Sequence, residues 1–359
     1  MRILFMADVP RDPNAGAAGT EIRTADALRA LGHDVDEVWS PQLGRRIEHG
    51  NLHYLLELPR AYRREMLRAT ARKHYDVIHV NQPHGYLAAK AKPRGTIFVH
   101  RSHGLELRAE RDLAPWRPRP KLVSRAMAAL LARHSREIAR YADGHIVSCS
   151  DDADFLVREL GVAARRIAVI PQASPFTGDA PAMSEERLRR VLHVGQFAFF
   201  KAPTVVAAAM RALTDRGLQC TWVCGRAHHA DVRQLLGDAP VELLDWMPAE
   251  ALRDVYDAHG IFLFASYFEG FGKVFLEAMS RGLCVVTTRA GGARDVVVHG
   301  ESGLFVERGD PAAMVDAVSS LLAAPARAAE MAANAARVAR TYTWERVARE
   351  TAAFYDSLQ

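Results

Sequence analysis

Cysteine is scarce in this chain of 359 residues: there are four, Cys149, Cys220, Cys224 and Cys284, all within apolar or strand-like segments. So few thiols make no disulfide framework, and reduced cysteines in a cytoplasmic protein are the economical reading. Cys220-x3-Cys224 has no second pair at ligand spacing, which excludes a structural zinc site. Also missing is any apolar run of about eighteen residues, so no transmembrane span is expected. The opening Met1-Arg2-Ile3-Leu4-Phe5-Met6-Ala7-Asp8 holds too short an apolar run for a signal peptide and reads as a first strand. No nucleic-acid motif accompanies the basic charge. Asp34-x-Asp36 and Asp152-x-Asp154 imitate a metal-binding pair, yet one lies at a strand entry and the other where helix caps occur. No metal is assigned.

What is present is a globular composition, 49% hydrophobic and 25% charged, with a mean hydropathy of −0.11. At this length two domains are the natural division. Charge is split between them. Residues 1–170 hold 28 Lys and Arg against 20 Asp and Glu, and residues 171–359 hold 19 against 22. A basic first half would attract an anionic acceptor or the inner face of an anionic membrane. An arginine-rich surface without such a role is the competing reading.

Apolar strands alternate with helical segments throughout, the pattern of doubly wound parallel sheets in an α/β fold. A first domain is expected over 1–170, a linker rich in Pro, Ser, Ala and charge over 171–190, and a second domain over 191–340. A loop from Pro10 to Gly19 should precede a helix from Glu21 to Leu31. Arg108 to Arg125 is basic and broken by proline, with Trp116 inside it, and reads either as an acceptor-facing or membrane-facing loop or as a solvated linker.

The most informative stretch runs from Phe262 to Met279. An apolar run reads as a buried strand, passes through Glu269-Gly270-Phe271-Gly272, and becomes helical from Lys273. Glycines at such a turn let the backbone approach a ligand, and a helix start aims free N–H groups at it, which makes a phosphate site. Glu269 and Glu277 bracket the turn. Two acids make poor phosphate ligands, but they suit sugar hydroxyls on either side of a diphosphate.

Glu-x7-Glu in the setting Glu-Gly-Phe-Gly…Leu-Glu-Ala-Met resembles the signature of retaining glycosyltransferases of family 4, and the resemblance extends over nearly the whole chain. It implies the GT-B architecture: two Rossmann-like domains facing across a cleft, the first for the acceptor, the second for a nucleotide sugar, and a C-terminal helix over 341–359 crossing back. It implies a UDP- or GDP-sugar as co-substrate, a hydroxyl acceptor, retention of configuration, and no cofactor or metal. His103, in His103-Gly104-Leu105-Glu106, resembles the family's strand-end histidine beside the reaction centre; with Glu269 it is the catalytic candidate. Gly19, in Ala18-Gly19-Thr20-Glu21, carries over as a close-approach point near the donor phosphate. Lys201 carries over as a diphosphate ligand, while Gln196 stands where the family has Arg; Arg226 is a candidate to replace that charge. Gly270, Phe271, Gly272, Lys273 and Glu277 complete the donor set. Trp246, in the loop expected to read the base, either stacks on it or packs. Asn81, His84, Arg101 and Glu106 are acceptor-side candidates, and Pro171-Gln172 departs from the family turn and is given no ligand role. Two rivals stay open: a nucleotide-sugar epimerase of the same fold, and a silent nucleotide-sugar-binding homologue. No nucleic-acid partner is expected, and acceptor and oligomeric state are unreadable.

Overall fold

The computed structural model describes residues 1–13, 15–117 and 122–359, apart from the side chains of Asn51 and 122–125. The chain divides into two compact units, Met1–Gln172 together with Trp344–Gln359, and Ala173–Thr343.

The first unit is built on a six-stranded sheet, β1 (Arg2–Met6), β2 (Asp34–Val38), β3 (Val77–Asn81), β4 (Ile97–Ser102), β5 (Gly144–Val147) and β6 (Ile167–Val169), in the order β2-β1-β3-β4-β5-β6. Every pairing is parallel. Strands buried on both faces need continuous apolar runs, and Ile3–Met6 of β1 supplies one. Ile78, Val80 and Phe98 meet Leu58, Tyr62 and Met66 from the helix Leu58–Thr70 in one core. The last helix, Trp344–Ser357, packs on the first, Gly16–Ala30. Its Phe354 and the following Leu358 close on Gly144, where a Cβ would lie 2.8 Å from Phe354 Cζ and 2.5 Å from Leu358 Cδ1.

The second unit repeats the plan with β7 (Arg190–Val194), β8 (Gln219–Val223), β9 (Glu242–Leu244), β10 (Ile261–Phe264), β11 (Cys284–Thr288) and β12 (Gly303–Val306), ordered β12-β11-β10-β7-β8-β9. Strand order reverses between β7 and β10, and open α/β sheets bind ligands at the carboxyl ends beside such a point. Phe262, Phe264, Phe271, Phe275 and Leu276 form the centre of its core.

Several expected boundaries move. The first helix begins at Gly16, so Gly19 lies inside it rather than in a loop; the run Ala15-Gly16-Ala17-Ala18 is mostly alanine and extends the helix backward. The segment read as a linker is fastened to the second unit. Buried Arg187 donates to the carbonyls of Pro181, Ala182, His259 and Arg281, and Arg281 donates to the Asp179 carbonyl at 2.9 Å. The proline-broken stretch after Arg108 contains a helix, Glu106–Leu113, and a short turn, Ala114–Trp116; residues 118–121 of it lie outside the described residues. Arg108 itself is 1% exposed, with Nε 2.5 Å from Asp152 Oδ1, so it is a core ion pair and not part of a loop. All four cysteines are buried and unpaired. Among the described residues no helix is long and apolar enough to cross a membrane, and no cluster of three metal-ligating side chains occurs.

Candidate functional site

In the second unit, the loops after β7 and β10 are tied together at the point where strand order reverses. Tyr267 N–H donates to the Phe200 carbonyl at 2.8 Å, and Ser266 Oγ stands 2.8 Å from the same oxygen. This brings Lys201 Nζ to 2.5 Å from Glu269 Oε1, which also accepts from Ser266 Oγ at 2.7 Å. The ammonium stands 4.9 Å from the centroid of the Phe264 ring. The lysine and glutamate side chains are only 13% and 7% exposed, so their attraction is little screened. Ala202, next in the chain, holds a left-handed conformation at φ 49°. A non-glycine residue there costs about 1–2 kcal/mol, a strain of the kind that collects at functional sites.

The turn Glu269–Gly272 is braced from behind. Gly272 has φ 85°, and a Cβ on it would lie 2.6 Å from the Phe275 ring. Gly291, at φ 54°, leaves no space for a Cβ, which would fall 2.6 Å from the Glu269 carbonyl oxygen. Gly292 N–H donates to the Phe271 carbonyl at 3.0 Å. Phe271 is 1% exposed and its ring belongs to the core; only its backbone is left to meet a ligand. The helix Lys273–Ser280 then starts, and the first N–H groups of a helix have no partner within it. Glu277, one turn in, is buried, accepts from Tyr256 Oη at 3.1 Å, and lies 3.4 Å from Lys273 Nζ. Lys201, Glu269, Gly270, Gly272, Lys273 and Glu277 therefore occupy one edge of one sheet. Arg226 and Trp246 lie together further along it, after β8 and β9. The Arg226 side chain is 83% exposed, with Nε 3.4 Å from Asp245 Oδ2. Its backbone N–H donates to Asp245 Oδ1 at 2.8 Å, and this bond, first, holds the Asp245 carboxyl below its usual range. Trp246 is 48% exposed, its indole against Gly225.

In the first unit, His103 follows β4 and sets Nε2 2.7 Å from Glu21 Oε1; the Gln172 amide stands 3.4 Å from His103 Nδ1. Asn81 is buried at the end of β3, where its Oδ1 accepts from Tyr62 Oη at 2.7 Å and from the Asp8 N–H at 3.3 Å. Burial raises the Asp8 carboxyl to about 6. One expectation needs correction here, and the other candidates are placed beside it. Arg101 is not a rim residue: it is fully buried, turned inward by strand alternation, donating to Thr24 Oγ1 at 3.2 Å with Glu21 as its counter-charge. His84 is buried against His134 at 3.2 Å and stacked on Tyr54; burial first, then His134, lowers it to about 3. Gly19 makes its close approach to its own chain, since a Cβ would lie 2.5 Å from the Pro13 carbonyl. Glu106 opens a helix, half-buried, with its carboxyl pushed up to about 8 by burial.

Sequence reading gave no role to Asp8, Gln172, Asp245, Tyr256 and Gly291, each of which meets a partner distant in the chain. Glu21 stood in the quoted Ala18-Gly19-Thr20-Glu21 and was given no role; its contact with His103 spans 82 positions.

Two family models match the chain, "Glycosyltransferase Family 4" over residues 16–173 and "Glycosyl transferases group 1" over residues 189–324. Among curated relatives, the D-inositol 3-phosphate glycosyltransferase of Corynebacterium diphtheriae is 30% identical over 244 residues, 61% of this chain and 57% of that protein. The match thus spans little more than half the relative's length. Among solved structures, sucrose-phosphate synthase from Thermosynechococcus elongatus superposes with a TM-score of 0.82 at 23% identity, covering 100% of this chain and 99% of that one. Anabaena HepE, solved in complex with UDP-glucose, gives 0.71 at 17% identity over 99% and 100%. Two six-stranded parallel sheets of this order, and matched segments that take in most of the sequence, place the chain in glycosyltransferase family 4, with the GT-B fold.

Proposed function

We propose that the protein is a retaining glycosyltransferase that moves a sugar from a UDP- or GDP-sugar to a hydroxyl acceptor without a metal. The observation that carries this reading is the buried Lys201–Glu269 pair, set where strand order reverses and beside the glycine turn that opens the Glu277 helix. The structural neighbour HepE was solved with UDP-glucose, which supports a sugar nucleotide as the ligand class.

In this reading Lys201, Lys273 and the N–H groups at the helix start neutralise the diphosphate as it leaves, a preorganised response to developing charge. Glu277, already oriented by Tyr256, accepts from the ribose hydroxyls. Glu269, oriented by Lys201 and Ser266, accepts from hydroxyls of the donor sugar. Departure and attack take place on one face of the sugar, and a phosphate oxygen of the leaving group takes the acceptor's proton. The two glutamates are therefore not the acid and base of a glycosidase. The acceptor binds the first unit near His103.

A panel of nucleotide sugars, with release of free nucleotide as the signal, tests the proposal. Turnover that survives a chelator and falls at least tenfold in Glu269→Ala and Glu277→Ala supports it. Binding without turnover points to a silent homologue, a sugar altered while nucleotide is set free points to the epimerase, and full turnover by both variants ends the proposal.

A further inference from the structure

Beneath the carboxyl ends of β1, β3 and β4, polar side chains line up out of reach of solvent. Glu21 and His79 are 1% exposed, and Arg101 and Tyr355 are 0% exposed. Tyr355 Oη, on the C-terminal helix, lies 2.5 Å from His79 Nδ1. His79 Nε2 lies 3.5 Å from Glu21 Oε2, and Glu21 Oε1 lies 2.7 Å from His103 Nε2. Phe5 stacks on the His79 ring with centroids 4.2 Å apart and fixes its plane. Arg101 stands behind, with Nε 4.0 Å from Glu21 Oε1.

The polarity of this row has one consistent solution. Burial would raise the Glu21 carboxyl, but the Arg101 charge and the His103 hydrogen bond overcome it and hold the group at about 2. Glu21 is then an acceptor only. Burial lowers His79 to about 3, so its ring is neutral, and burial keeps the Tyr355 phenol protonated. Tyr355 accordingly donates to His79 Nδ1, the Nε2–H of His79 faces Glu21 Oε2 across 3.5 Å as an electrostatic contact and not a hydrogen bond, and His103 donates from Nε2 to the same carboxylate.

We propose that Glu21 is the positioning residue for His103, and that the C-terminal helix holds Glu21 in register through Tyr355 and His79. The imidazole of His103 then keeps its proton on Nε2 and offers Nδ1 to a hydroxyl of the bound acceptor, in exchange for the long contact with Gln172. The inference rests on the reading of His103 as a group beside the reaction centre.

The test joins the histidine 15N spectrum to steady-state kinetics. In the wild type the His103 ring should be in the Nε2–H tautomer at neutral pH. In Glu21→Gln, whose amide can donate as well as accept, both tautomers should be populated. There kcat should fall roughly tenfold or more with the donor KM within about twofold, the signature of a lost orienting carboxylate. Glu21→Asp should recover part of the loss. Tyr355→Phe removes one buried oxygen and covers the case in which Glu21→Gln does not fold; kcat should fall roughly threefold, with shifted His79 and His103 resonances and unchanged circular dichroism. An unchanged tautomer with kcat within about twofold, in whichever variants fold, overturns the proposal. A wild type that turns over no sugar nucleotide defeats the glycosyltransferase reading instead, while the spectra still report on Glu21.

Discussion

Replacing Lys201 by Met asks how much the ion pair at the centre of the second unit is worth. Nζ sits 2.5 Å from Glu269 Oε1, and both side chains are mostly shielded from water. Removing the ammonium leaves a buried carboxylate without that counter-charge, and breaking a buried pair from one side costs about 3–5 kcal/mol. Ser266 still donates to the same oxygen, which favours the lower half of that range. For a unit of this size each kcal/mol lowers Tm by about 2–4 °C, so Lys201→Met should melt roughly 6–15 °C below the wild type. The double variant Lys201→Met/Glu269→Gln removes the stranded charge and should recover more than half of the loss. Turnover behaves otherwise. A lost leaving-group stabiliser costs about 2.7–4 kcal/mol in activation energy, a fall of 10²–10³ in kcat, and the double variant should not regain it. Calorimetry of the four proteins of the cycle, with kcat on a nucleotide sugar, gives both numbers. A coupling below about 0.5 kcal/mol would refute the pair as a buried, interacting unit.

Gly291→Ala should cost about 2–4 kcal/mol and lower turnover with it, because a Cβ 2.6 Å from the Glu269 carbonyl at φ 54° displaces the turn; an unchanged Tm contradicts this. Glu106 has its carboxyl raised from 4.5 to about 8 by burial, so the stability it contributes is complete below pH 4.5 and is lost as pH rises through about 8. Thermal unfolding at pH 6 and pH 9 should therefore show a smaller fall of Tm in Glu106→Gln than in the wild type, and equal falls refute the assignment. Arg226→Ala should leave stability within about 0.5 kcal/mol, given its 83% exposed side chain, yet raise the donor KM roughly fivefold; an unaltered KM removes Arg226 from the donor site.

What could be read from the chain depended on how locally each feature is encoded. The parallel sheets were legible because strands such as Ile261–Phe264 are buried on both faces and apolar without interruption. The Glu269–Glu277 element was legible because turn, helix start and both carboxylates lie within a few residues. Features that need a distant partner were not. Arg108 looks like a loop cation until Asp152, 44 positions later, is folded against it. Arg101 looks like a rim residue until the first helix brings Glu21 over it. The apparent linker holds Arg187, whose four carbonyl partners include two from 259 and 281. Gly291 carries no hint in sequence that its missing Cβ makes room for the Glu269 backbone.

Because Trp344–Gln359 packs into the unit formed by Met1–Gln172, that unit is assembled from two stretches separated by the whole of Ala173–Thr343. On the ribosome the whole of Ala173–Thr343 emerges before Tyr355 is available to His79, or Phe354 and Leu358 to Gly144. The portion made before Ala173–Thr343 thus reaches its mature form after it, and until then His79 lacks its Tyr355 partner. Loss of Trp344–Gln359 would therefore be felt at His103, where the row ends, although the cut is made far along the chain from it.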